Sequence, residues 1–521
     1  MFPPVVHRYL FLFGVFGLAF GMMIGTVPTS VPQLVLAGNW LLETDFRRKW
    51  NRLKNNRLFW SLASLFLVHL FGMLYTSNSG DGLNDIRTKL PLLFLPLFLL
   101  TSEPLSAREV KVLLYCFIAG CVANTAWCLV YSFVLHQHQQ VRNASRFMSH
   151  IRLGLYLNMA IACCVYFFMG SPHLPKKTIF AILSAYFTLV LFVLGLASGL
   201  ADFFILLVLG LMFLLIRQPF KYKIVALLIS GVLIFFTGSY VHRIWAEQLT
   251  VRPGAQNIPQ RYTFSGAPYI HFDSTGQKEN GNYVLMNIQL QELQHAWNSE
   301  FRNDTFSYSP SRNLARFEVL VRYMASMGLN KDSAGYSRLT TKDKMNILNW
   351  VTNYRQPGWS FLRRRTYELV NEYDEFTHGR NVNGHSLSMR FQFWRAAMYV
   401  VNRHPLLGVG TGDVQDELNM AYRAIDSPLE VEWHKRPHNQ FLTITVALGI
   451  VGLMVFIFSL LYPVLMLYRT IHVLYWPFIL LALVSFLLED TLETQAGLTF
   501  FVFFNTVFLA EDYYKKERDF T

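Results

Sequence analysis

His438 and Asn439 are followed after nine residues by Gly449 and after two more by Gly452. The pair stands where a long polar stretch returns to an apolar one. An imidazole at a water–membrane boundary can take a proton from a substrate hydroxyl near neutral pH. It can also be only an interfacial anchor above a packing face. A helix turns about 100° per residue, so helical geometry from position 438 predicts His438, Gly449 and Gly452 on one stripe, within about 40° of each other. Glycines on such a stripe admit another helix or a lipid chain.

Arginines form a second constellation. Arg142, Arg146 and Arg152 lie in or beside the short connection VRNASRFMSHIRLG. Arg390 and Arg395 lie on the helical pattern SMRFQFWRAAMYVVNRHP, which leads toward His438. A guanidinium stays charged and binds phosphate oxygens in pairs, so this set suits a diphosphate head group. Acidic lipid heads or surface ion pairs are the alternative. Glu489, Asp490 and Glu493 form a third group in FLLEDTLETQAGL. Carboxylates at a membrane edge must be solvated or paired, and could meet the arginines or accept a proton. Asp202 is a more isolated acid of the same kind.

Several chemistries are missing from the sequence. It contains no GxxxxGK[ST] loop, no HExxH and no cluster with zinc spacing. Gly408, Gly410 and Gly412 resemble a nucleotide loop only superficially, because Asp413 breaks the GxGxxG spacing; they read as a turn. Cys116, Cys121, Cys128, Cys163 and Cys164 all fall in apolar stretches and read as packing residues.

The elements that must carry these groups are membrane helices. Hydrophobic residues make up 53% of the 521 residues and charged residues only 15%, with mean hydropathy +0.28. A soluble domain would carry about a quarter charged residues. Apolar runs predict an all-α polytopic membrane protein of about twelve spans, near 9–26, 28–43, 58–76, 86–101, 109–135, 151–169, 178–197, 200–216, 222–240, 439–467, 472–488 and 497–512. The first is read as a span rather than a signal peptide, and the second and fourth are interrupted by proline. Three parts follow: a membrane bundle over 1–240, a large loop over 241–438 and a second bundle over 439–521.

Lys and Arg set the expected orientation. Arg47, Arg48, Lys49, Arg52, Lys54 and Arg57 follow the second span, Lys176 and Lys177 the sixth, Arg217, Lys221 and Lys223 the eighth, and Lys515, Lys516 and Arg518 the last. With twelve spans these share one side, which the positive-inside rule makes cytoplasmic, with both termini. The net charge of +13 is then partly a topology signal and needs no nucleic-acid partner. The loop faces the other side and should be mostly helical, with pieces near 311–327, 340–353 and 386–404 and a hairpin or loop near 252–282. Three arginines in the short outer connection of 142–152 run against the positive-inside rule, which an anionic ligand would explain.

The spacing His438-Asn439-x9-Gly449-x2-Gly452 resembles the His-[Asn/Ser/Gln]-x9-Gly-x2-[Gly/Thr/Tyr] pattern of O-antigen ligases, O-antigen polymerases and bacterial O-oligosaccharyltransferases. The stretch from Ser388 through Arg390 to Trp394, followed by His404 to Gly410, is similar to the segment before that histidine in the same superfamily. The likeness is sharp over about 386–455 and architectural elsewhere. One departure stands out. Many members carry Ser-Arg-[Thr/Gly] where this chain has Ala197-Ser-Gly-Leu-Ala-Asp202, without an arginine.

The resemblance implies a GT-C-like fold with one large periplasmic loop in the bacterial inner membrane. It implies transfer of a glycan from an undecaprenyl diphosphate donor to an acceptor hydroxyl, without metal, nucleotide or other cofactor. O-antigen ligation to lipid A–core is the leading reading. Polymerisation on the lipid carrier, transfer to protein, and transport of the lipid-linked glycan remain alternatives. In that chemistry His438 would orient or deprotonate the acceptor, and Arg152 and Arg390 would hold the diphosphate. Arg142, Arg146, Arg395, Asn439, Glu489 and Glu493 would line the substrate site, and surrounding membrane lipids complete the set of partners.

Overall fold

The computed structural model describes residues 3–131, 147–216, 220–271, 276–306, 314–379, 383–384, 386–468 and 471–520. The chain is an all-α polytopic membrane protein with almost no strand. Seven helices among the described residues are long and apolar enough to cross a membrane: Pro4–Gly21, Arg57–Tyr75, Ala107–Val130, His150–Gly170, Leu174–Val193, Leu227–Leu249 and Gln440–Leu467. Three shorter apolar helices cover Ser198–Gly210, Tyr475–Leu488 and Gln495–Ala510.

The remaining two expected spans contain prolines. Thr26–Leu42 is a helix of 17 residues with Pro32 inside it. The region expected as the fourth span is split into Ser79–Lys89 and Pro91–Thr101, because proline at 91 starts a new helix. Proline has no N–H to continue the first helix but fits the first position of the second.

The residues group into two compact units, 1–216 with 392–427 and 434–521, and 217–391 with 428–433. In the first, helix starts are set by local caps. Ser106 and Glu109 form a reciprocal capping box before Ala107–Val130. Asn56 caps Arg57–Gly72 and Ser149 caps His150–Gly170. Each side-chain oxygen satisfies an N–H that the helix itself leaves unpaired. The core is aromatic-rich: Phe478 stands 5.9 to 6.1 Å from Phe500, Phe501, Phe504 and Phe508, and Phe117 is 4.9 Å from Phe504. The free cysteines Cys121, Cys128, Cys163 and Cys164 are buried in this packing, and Cys116 is half-buried.

The second unit has its own core around Trp297, Phe306, Leu320 and Tyr323. Its helices include Leu314–Ser326 and Thr341–Leu348, close to the expected pieces, and also Leu290–Glu300 and Phe361–Thr377. Its one strand pair joins Lys278–Glu279 to Asn282–Tyr283. Asn280 and Gly281 turn the corner at φ 51 and 78, the Asn-Gly signature of a tight hairpin.

Candidate functional site

The Gln440–Leu467 helix starts one residue later than its apolar run suggested. Asn439 is its N-cap, and its side chain accepts a hydrogen bond from the Leu442 N–H at 3.1 Å. His438 lies outside the helix at φ 49, a left-handed conformation that is uncommon for a residue with a Cβ. Two N–H groups explain it. Those of His438 and Asn439 both point at Asp490, each at 3.0 Å from one carboxylate oxygen. Successive backbone amides cup an anion only in such a turn. Thr443 adds its hydroxyl to the same carboxylate at 2.5 Å. Burial pushes the Asp490 pKa up, against the Thr443 hydrogen bond and the nearby His438.

The neighbouring acid holds the imidazole. His438 Nδ1 is 3.1 Å from Glu489 Oε2. An ionised carboxylate only accepts, so opposite one Nδ1 is the donor, and in a neutral imidazole Nε2 then keeps its lone pair. Among the described residues nothing bonds Nε2. The His438 side chain is one-third exposed, at 33%, with Phe393 beside it at 5.6 Å. Trp394 fixes the preceding backbone through an indole N–H to the Pro437 carbonyl at 3.0 Å.

Glu493 underlies the turn. Its carboxylate meets Arg436 at 2.5 Å, Lys89 at 2.9 Å and the Gln440 amide at 3.0 Å. Lys89 also holds Asp85 at 2.7 Å. Burial alone would raise the Glu493 pKa, but the Lys89 and Arg436 charges pull it well below the usual carboxylate range. Asp85 goes the other way. Burial, helped by Glu493, pushes it up to about 6, with Lys89 opposing. Two cations and two carboxylates therefore share one largely buried site.

The expected site residues fall in different places. His438, Asn439, Glu489 and Glu493 converge. Both ends of the Asn439 amide are engaged, its nitrogen by the Leu487 carbonyl at 3.2 Å, and Glu493 is closed in by its cations. Both are placed to fix the turn. Arg152 lies half-buried in the first turn of His150–Gly170. One turn on, the Tyr156 hydroxyl donates to the Ala496 carbonyl at 2.8 Å, so this helix packs on the chain just after Glu493. Arg395 is exposed and bonds Gln392 at 3.1 Å. Arg390 is half-buried and belongs to the second unit. Arg142 and Arg146 lie outside the described residues. Arg436, Lys89, Asp85, Thr443 and Trp394 were not singled out from the sequence. Arg436 stands two residues before His438, and Asp85 and Lys89 have the i, i+4 spacing of a helical ion pair, but neither signal shows the shared partner.

The expected His438–Gly449–Gly452 stripe does not exist. The helix breaks at Gly449, which has φ 62 and ψ −162. The segment 405–410 repairs the break. Val409 and Gly410 N–H groups take the Val446 and Ala447 carbonyls at 3.0 and 2.8 Å, and Ile450 N–H reaches the Pro405 carbonyl at 2.9 Å. A Cβ at Gly449 would collide with the Leu406 carbonyl, and one at Gly408 with the backbone of Ala447. The glycines at 408 and 410, both at positive φ, thus form a turn against the broken helix. The turn is tied down beyond it, since Asp413 accepts the Ser77 and Asn78 N–H groups at 2.8 and 2.6 Å.

The fold and site define a membrane protein with a carboxylate-held histidine at the mouth of a broken helix. Residues 351–457 match the family model described as O-antigen ligase, the family to which the His438–Gly452 spacing points. The matched segment takes in Arg390, Arg395, the 405–410 turn, His438 and both glycines; Arg152 and the Glu489–Glu493 turn lie outside it. No curated protein matches the chain. The match supports glycan transfer of the O-antigen ligase or polymerase type.

Proposed function

We propose that the chain transfers a polymerised glycan from undecaprenyl diphosphate to an acceptor hydroxyl of lipid A–core, at the periplasmic face of the bacterial inner membrane. The observation that carries this is the His438–Glu489 pair, with Nδ1 committed and Nε2 open, inside a segment similar to O-antigen ligases. Nε2 takes the proton of the acceptor hydroxyl as its oxygen bonds to the anomeric carbon. The bond from that carbon to the diphosphate breaks, and the diphosphate leaves with the electron pair. Glu489 stabilises the imidazolium formed in that step. Arg152 and Arg390 meet the growing charge on the diphosphate, with Arg142, Arg146 and Arg395 beside them, all on sequence grounds. Asn439 and Glu493 hold the turn that carries His438. The loop and the site face the periplasm, and both termini the cytoplasm, in the orientation expected from Lys and Arg.

The test is the surface glycolipid ladder of a deletion strain that carries either the wild-type chain or His438→Ala. Wild type should attach polymer to core. The variant should leave free core and accumulate lipid-linked polymer. Single repeat units on core would instead mark a polymerase, and loss of glycoprotein bands a protein transferase. Normal attachment by the variant would overturn the role of His438.

A further inference from the structure

We propose that a second site, remote from His438, binds the phosphate head group of an anionic phospholipid. It is a cavity of about 570 Å³ lined by Lys54, Asn55, Arg57, Trp60, Phe458 and Tyr462. Its size falls within the range of ligand pockets.

The cations of this region divide into two sets. Arg48 and Lys49 are held by Glu43 at 2.8 and 3.0 Å. Arg52 donates to the Thr101 and Ser102 carbonyls at 2.8 and 2.9 Å. Lys54 and Arg57 have no acidic or carbonyl partner among the described residues, are exposed, and line the cavity. Two uncompensated cations beside one cavity ask for an anion.

The walls indicate which anion. Trp60 is half in contact with solvent or lipid, at 43% exposure. Its indole is pinned by the Leu53 carbonyl at 3.2 Å. Phe458 and Tyr462 pair with ring centroids 5.0 Å apart. Rings of this kind sit at the head-group level of a bilayer. A free phosphate gains nothing from three rings, whereas a lipid places its glycerol and upper chains against them. The depth agrees. Arg57 opens the Arg57–Tyr75 span, 19 residues long and apolar enough to cross a membrane, so the cavity stands at one end of that span. This end of the span falls on the side to which Lys and Arg assign the cytoplasm. The inference does not depend on the glycan-transfer reading.

The full chain, purified in detergent, is examined by native mass spectrometry with phosphatidylglycerol, phosphatidylcholine or inorganic phosphate. Phosphatidylglycerol adducts should exceed those of phosphatidylcholine, weaken with salt, and persist against inorganic phosphate. K54Q and R57Q should each reduce the anionic adduct about fivefold, since a cation near a lipid surface contributes on the order of 1 kcal/mol. The salt titration on wild type stands if a variant fails to fold. Equal retention of both lipids, unchanged adducts in both variants, or displacement by inorganic phosphate would each overturn the proposal.

Discussion

Two buried carboxylates, Glu493 in the first unit and Glu279 in the second, look alike in isolation. Glu279 is 1% exposed and paired with Arg322 at 2.8 Å. Its other oxygen accepts from Gln248 at 3.3 Å, Asn353 at 3.1 Å and Tyr367. Glu493 is 8% exposed and paired with Lys89 and Arg436. Both are saturated, as buried charges must be. They differ in what stands next to them. The Glu279 set is satisfied within itself, whereas the Glu493 turn passes through Asp490 and Glu489 to an imidazole with one open nitrogen. A carboxylate saturated on every side is scaffold; a saturated turn that ends in a one-third-exposed imidazole is the candidate for a reactive position.

The sharpest way to break that contrast is to remove one member of each cluster. His438→Ala should lower the polymer-attachment rate by about 10²–10⁴-fold with thermal unfolding close to wild type. Glu279→Gln should do the reverse. It leaves Arg322 with only the exposed Glu318 at 3.4 Å, a loss of roughly 3 kcal/mol visible as a lower unfolding temperature in detergent micelles, while the rate per folded molecule holds. A catalytic collapse in folded Glu279→Gln would erase the distinction. Next in size is Glu489→Gln, which keeps a polar partner for Nδ1 but removes the countercharge of the imidazolium. The maximal rate should fall about 10–100-fold, with the half-saturating donor concentration nearly unchanged; a change confined to the latter would make Glu489 a binding residue.

Smaller effects refine the same comparison. Thr443→Val removes one hydrogen bond to Asp490 and should cost about 1 kcal/mol in stability, with a modest loss of rate as the His438 turn loosens. An unchanged unfolding temperature would show that the two backbone N–H groups suffice. The smallest is a pH effect in the second unit. Burial is the largest single influence and raises the Glu292 pKa, but the hydrogen bonds from Ser265, Ser333 and Thr263 together outweigh it and lower the value from 4.5 to about 2. The unfolded chain then binds this proton first. Its contribution is complete above pH 4.5 and is lost as pH falls toward 2. Glu292→Gln should flatten the acid limb of unfolding temperature against pH; an identical limb would sink this assignment.

What could be read from the sequence follows from the range of each signal. Apolar runs are local, so helices occupy every region expected to span. Where Pro91 intervenes, one expected run is divided between two helices, whereas Pro32 lies inside a continuous one. His438 was conspicuous by type and spacing, but Glu489 lies 51 residues further on and their pairing has no local mark. Lys89 and Asp85 announce a helical pair, yet Glu493 is 404 residues away. The stripe through His438, Gly449 and Gly452 failed because the arithmetic assumed one unbroken helix. Its glycines also allow the opposite, a break, and only the arrival of residues 405–410 beside Ala447 decides between them.

That break has a consequence for how the chain is made. A membrane helix with an intact ladder of hydrogen bonds can enter lipid alone, but one with carbonyls exposed at 446 and 447 cannot do so without several kcal/mol of unmet polar demand. Its complement, Val409 and Gly410, precedes it in the sequence and leaves the ribosome first. The seat is therefore synthesised before the segment that needs it, and the order of the two segments along the chain is itself part of the instruction for inserting the helix that bears the His438 turn.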